Sequence, residues 1–199
     1  MEILIVANSP TRDIDVDIRN YDIVIALDGA GDYFEEFDFL IGDLDSLLKA
    51  DARVKSGDPK VIHIQDQSST DLHKGIRYAD SLGAKHIDIV NAMGGRLDHT
   101  AMNIRTLKML HSDSRTLRII DSGQSLAYYH DCRIELNGEV GEHIGVLAAP
   151  FATVTSDGLK YDMNQTKLEW GVCESSSNAF TKTKAVIEVQ GGILINQYL

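Results

Sequence analysis

Short apolar runs broken by polar turns constrain most strongly what this chain can fold into. Five of them, at 3–7, 22–27, 39–41, 61–64 and 87–90, fall within the first ninety residues, and a sixth lies at 116–120. Each is too short for a helix and mostly apolar, as strands buried on both faces are. Between the later runs the period changes. Leu72, Ile76, Ala79 and Leu82 share one face of a helix that Gly83 stops. Leu97, Ala101, Ile104 and Leu107 mark a second helix in the same way. Ser68 with Asp71 resembles a capping box at the start of the first. Buried strands alternating with helices imply an α/β unit, a mainly parallel sheet with helices on both faces. Ligands of such sheets bind beyond the carboxyl ends of the strands.

After residue 122 the pattern shortens. Runs at 125–130, 133–136, 143–149, 153–155, 185–189 and 193–195 have strand character. Asn137-Gly138, Asp157-Gly158 and Gly191-Gly192 are the candidate turns between them. This predicts an all-β unit, a sandwich or a barrel. The expected domains are 1–122 and 123–199.

A net charge of −11 argues against non-specific binding to nucleic acid or to an anionic membrane, which need basic surface. No apolar run reaches membrane-spanning length, and the N-terminus lacks the basic leader of a signal peptide. Cys132 and Cys173 have neither zinc-site spacing nor a disulfide pattern, so a reducing, cytoplasmic setting is expected.

Four polar segments, 28–32, 42–46, 66–71 and 94–99, follow four successive strand runs. In Gly42-Asp43-Leu44-Asp45-Ser46 the two acids are one residue apart, so an extended chain aims both at one point. Like charges held together favour a cation between them, and magnesium suits carboxylate oxygens, water and phosphates. The plain alternative is a solvated turn. Asp71, which follows a neighbouring strand, and Asp28, directly after its own, offer further carboxylates, with a helix-start acid and a turn Asp as their plain alternatives. Gly94-Gly95-Arg96 at a strand-to-helix junction suits a phosphate, or simply a tight turn. Asp98 is a hydrogen-bond acceptor for a substrate hydroxyl, or a helix cap. Trp170 offers a flat face to a heteroaromatic or cationic ligand, with Ser177 and Asn178 as polar neighbours; the alternative is a core aromatic.

Taken together, Asp28-Gly29, Gly42-Asp43-Leu44-Asp45-Ser46, Asp66-Gln67-Ser68-Ser69-Thr70-Asp71, Gly94-Gly95-Arg96-Leu97-Asp98-His99, Gly158-Leu159-Lys160-Tyr161 and Ser177-Asn178-Ala179-Phe180 resemble the thiamine pyrophosphokinase family. The resemblance implies an α/β domain followed by a β-sandwich, in a homodimer with active sites at the subunit interface. It implies transfer of a pyrophosphoryl group from ATP to the thiamine hydroxyl, giving AMP, with Mg2+. Asp43, Asp45 and Asp71 would hold metal and triphosphate, with Asp28 nearby. Gln67, Thr70 and Arg96 would position the nucleotide, Asp98 would lie near the reacting groups, and Trp170, Ser177 and Asn178 would face thiamine. The sequence departs from the family pattern at Ala30-Gly31-Asp32 and at Asp162. Two other readings stay open: a metal-dependent phosphohydrolase, and a non-catalytic nucleotide- or thiamine-binding module.

Overall fold

The computed structural model describes residues 1–12, 14–43, 58, 60–66 and 68–199. The chain forms two compact units, Met1–Ser122 and Gly123–Leu199.

The first unit carries strands β1 (Glu2–Val6), β2 (Ile23–Leu27), β3 (Phe39–Gly42), β4 (Val61–His63), β5 (His86–Val90) and β6 (Thr116–Asp121). Their order across the sheet is β6-β5-β1-β2-β3-β4, and neighbouring strands run parallel. The central strands are buried on both faces, which is why they read as unbroken apolar runs. Helices α1 (Asp71–Ser81) and α2 (Leu97–Met109) are the α-helices among the described residues. Helix α1 lies on β1–β3. Gly75 makes this approach possible, since a Cβ there would stand 2.6 Å from Leu27 Cδ2.

Two expectations about the helices change. Among the described residues both helices lie on one side of the sheet, where buried His73 of α1 meets Thr106 of α2 at 2.8 Å. The opposite face is packed by Phe34, Phe37 and half-buried Ile14, Val16 and Ile18, from a segment whose regular structure is two 3-10 turns. Helix α2 also buries less than its apolar spacing predicts. Leu107 is buried, but Leu97 in the first turn is 86% exposed.

The second unit is all-β, with antiparallel pairing throughout the described strands. It contains β7 (Gln124–His130), β8 (Arg133–Asn137), β9 (His143–Asp157), β10 (Thr166–Glu169), β11 (Ser175–Ala179) and β12 (Lys184–Tyr198). Strands β10 and β11 carry Thr, Lys, Ser and Asn with little apolar signal, so the sequence pattern does not reveal them.

Gly191-Gly192 is a bulge within one 15-residue strand rather than a turn between two. The register to β9 shifts there, and Gly191 adopts φ +92°. A Cβ on Gly191 would stand 2.5 Å from the Phe151 carbonyl oxygen. Gly191→Ala is therefore expected to lower stability by about 2–4 kcal/mol in denaturant unfolding, combining left-handed strain with a backbone clash. An unchanged midpoint would contradict this account of the bulge.

Candidate active site

The chain turns sharply where two strands end. Asp28 after β2 and Asn91 after β5 adopt φ +37° and +56°, in the left-handed region that Asp and Asn tolerate better than most residues. Gly42, the last residue of β3, clears space beside Asp28, since a Cβ there would stand 2.9 Å from Asp28 Cβ. Asp43 follows at once, and Asp71 opens α1. Carboxylate oxygens of Asp28, Asp43 and Asp71 all lie within 4.8 Å of one another. Two strand ends and one helix start thus deliver three acids to one point.

A cleft of about 630 Å³ opens over these acids. Its walls come from the ends of β1, β2, β3 and β5 and the starts of α1 and α2, including Asn8, Asp28, Asp43, Thr70, Asn91 and Arg96. This volume suits a small-molecule ligand. It lies at the carboxyl ends of the parallel strands, where such sheets place their ligands.

Helix α1 begins at Thr70, whose hydroxyl accepts the His73 N–H at 3.3 Å. Thr70 thus serves as the N-cap in place of the expected Ser68. Ser68 is taken by Asp66 instead: its N–H and hydroxyl donate to Asp66 Oδ1 at 2.8 and 2.6 Å, and Ser69 donates to Oδ2 at 2.6 Å. These bonds, led by the one from the Ser68 hydroxyl, hold the Asp66 carboxyl at about 2. A pKa depressed by folding contributes stability above the unfolded value, and that stability is lost as pH falls through the folded value. The advantage of Asp66 over an Asp66→Asn variant is thus expected in full above about pH 5, to fall as pH drops toward 2, and to vanish only by about pH 1 in pH-dependent unfolding. A difference independent of pH would contradict the assignment.

Among the other nominated residues, Arg96 and Asp98 both reach the cleft, exposed and paired with each other. Arg96 Nη2 donates to Asp98 Oδ2 at 2.6 Å and Nε to Oδ1 at 3.1 Å. The guanidinium holds the Asp98 carboxyl below its ordinary value. Asp98 therefore stands apart from the acid cluster, in the same cleft. Gly94, at φ +80°, makes the turn into α2, and Gly95 lines the wall. Asp45 and Gln67 lie outside the described residues.

The sequence reading missed three features. Lys74 is 4% exposed, with Nζ 2.9 Å from Asp71 and 3.9 Å from Asp43. Its spacing of three from Asp71 on a helix was the available signal. The loop after β1 also forms wall, through Asn8, Ser9 and Pro10. Behind it, the Tyr33 hydroxyl donates to the Ala7 carbonyl at 2.7 Å and accepts from Asn91 at 3.1 Å, tying the ends of β1 and β5. Burial raises the Tyr33 phenol, which keeps it a neutral donor.

In the second unit, Trp170 and Ser177 are exposed. Asn178 differs from expectation. It is fully buried, and its amide bonds to Tyr161 N, Tyr161 O, Ala179 N and Ser175 Oγ at 2.9–3.1 Å. In this structure it braces the 161 loop and presents no polar atom outward.

Comparison with known proteins matches residues 16–120, over half of the chain, to the thiamin pyrophosphokinase catalytic domain, and residues 130–194 to the vitamin B1 binding domain of the same enzymes. The chain belongs to the thiamin pyrophosphokinase family. Thiamine pyrophosphokinase 1 of Arabidopsis thaliana is 29% identical over 170 residues, covering 79% of this chain. Thiamin pyrophosphokinase 1 of Caenorhabditis elegans is 27% identical over 176 residues, covering 82% of this chain and 71% of its own. The chain spans 63% of the length of the Arabidopsis relative. Among solved structures, thiamine pyrophosphokinase from Bacillus subtilis superposes with a TM-score of 0.83 at 21% identity, covering 100% of this chain and 99% of that one. The Candida albicans enzyme gives a TM-score of 0.83 at 20% identity, covering 100% and 88%. At these identities the superpositions establish a shared family fold.

Proposed function

We propose that the chain is a thiamine diphosphokinase, transferring pyrophosphate from ATP to the hydroxyl of thiamine and releasing AMP. The observation that carries this reading is the convergence of Asp28, Asp43 and Asp71 in one cleft of a chain belonging to this family. The donor set fits a hard divalent cation such as Mg2+: three carboxylates within 4.8 Å, at the edge of a cleft that leaves room for phosphates and water. Asp43 and Asp71, with Asp28 and the Asp45 of the same motif, would hold it. When bound, the ion would neutralise charge on the triphosphate.

The remaining work falls to positioning. Arg96 and the turn at Gly95 stand at the start of α2, where the helix end favours anions. Thr70, at the start of α1, would border the triphosphate, and the same motif assigns Gln67 to the nucleotide. The thiamine hydroxyl oxygen bonds to the β-phosphorus of ATP, the bond from that phosphorus to the α–β bridging oxygen breaks, and AMP leaves. The hydroxyl proton passes to a carboxylate. Asp71 and Asp98 are the candidates, both lining the cleft.

Trp170 and Ser177 would face thiamine, with Asn178 acting through the Tyr161 loop it braces. The fold of the second unit accords with a sandwich. One half of β9 and of β12 pairs with β11 and β7, and the other half with β10 and β8, so in a sandwich the two long strands would serve both layers. A homodimer with interfacial sites and a cytoplasmic place of work complete the proposal. Chromatography after incubation with ATP, Mg2+ and thiamine tests it. AMP with thiamine diphosphate supports transfer, whereas free phosphate with unchanged thiamine would replace it with hydrolysis.

A further inference from the structure

Lys74 occupies a place that helix physics disfavours. It lies in the first turns of α1, where the helix dipole favours anions over cations, and it is buried. A buried ammonium is tolerated only against nearby negative charge. That charge comes from Asp71 at 2.9 Å and Asp43 at 3.9 Å, two of the three acids that form the cluster. The backbone fixes the arrangement: Lys74 N–H donates to the Thr70 carbonyl at 3.1 Å, and Thr70 caps the helix that Asp71 begins.

A cation inside the cluster has two consequences. It offsets repulsion among the carboxylates, so the site can assemble before any ligand arrives. It also holds one oxygen of Asp71 and repels a second cation placed among the same acids. A bare divalent ion therefore gains little from this cluster. An ion accompanied by phosphates brings the negative charge that offsets Lys74.

We propose that Lys74 is a positioning residue, a built-in counter-ion that keeps the acid cluster assembled and makes it discriminate against bare divalent metal in favour of metal with nucleotide phosphates. The inference rests on the metal–nucleotide reading of the cleft. Its test uses Mn2+ alone, without substrates, so its result is separate from whether the transfer reaction is observed.

Mn2+ binding would be followed by electron paramagnetic resonance on the wild-type protein and on Lys74→Met, Lys74→Gln and Lys74→Arg. The wild type is expected to bind bare Mn2+ weakly. Lys74→Met and Lys74→Gln are expected to bind it at least about tenfold more tightly, because a competing like charge is gone. Lys74→Arg should remain near the wild type. A residue that merely supported the fold would show the opposite, since its loss would loosen the site and weaken binding. If either neutral variant folds only when Mn2+ is added, that also supports the proposal, because the metal then supplies the missing cation. Equal or weaker binding by the neutral variants would overturn it. So would micromolar binding of bare Mn2+ by the wild type, a measurement that needs no variant.

Discussion

Asp43→Asn is expected to lower the rate of thiamine diphosphate formation by about a thousandfold or more, while thermal unfolding stays close to that of the wild type. The substitution keeps the shape and removes the charge. Asp43 is partly exposed and shares Lys74 with Asp71, so its loss leaves the buried ammonium its closer partner. The activity loss follows from removing one of the three clustered carboxylates that would hold the metal; a single well-placed electrostatic group is worth about a hundredfold to a thousandfold in turnover. Asp71→Asn should match this loss and add an unfolding penalty of about 1–3 kcal/mol, because among the described residues Lys74 then keeps the more distant acid, Asp43. Asp28→Asn should lose activity with the backbone intact, since asparagine tolerates φ +37° as aspartate does. Turnover near the wild-type value in any of the three would remove that residue from the reaction.

Asn178→Ala is expected to destabilise the second unit by about 3–5 kcal/mol. The side chain accepts from two backbone N–H groups, of Tyr161 and Ala179, and donates to the Tyr161 carbonyl, with no exposure to water. Alanine would leave these groups without a partner in the interior, at about 1–3 kcal/mol each before relaxation. Ser177→Ala, on the exposed side of β11, should leave unfolding within about 0.5 kcal/mol of the wild type and raise the KM for thiamine. The pair separates bracing from contact. If Asn178→Ala kept full stability and changed only thiamine binding, its place as an internal brace would be wrong.

Much of the first unit could be read from the sequence because its physics is local. Strands buried on both faces show as apolar runs, and the polar residues ending them, Asp28, Asp43 and the Gly94-Gly95 turn, stand where a parallel sheet gathers its ligands. What could not be read depends on distance in space. That Asp28 joins Asp43 follows from the missing side chain of Gly42, which lets β3 end against Asp28. That Lys74 reaches Asp43 as well as Asp71 follows from the position of α1 over β3, which the spacing of three from Asp71 does not reveal. Ser68 looked like a cap because Asp66, two residues earlier, competes for it only once the turn has formed. In the second unit, Gly191-Gly192 looked like a turn because a bulge and a turn ask the same freedom of glycine. Asn178 looked like a ligand contact because a polar residue beside serines gives no sign of facing inward.

The most direct test of the central claim follows one phosphorus atom. ATP labelled at the β-phosphorus would be incubated with the protein, Mg2+ and thiamine, and the products separated. The account predicts that the label moves into thiamine diphosphate while unlabelled AMP accumulates in equal amount. Label found in ADP or in free phosphate, with thiamine unchanged, would contradict it.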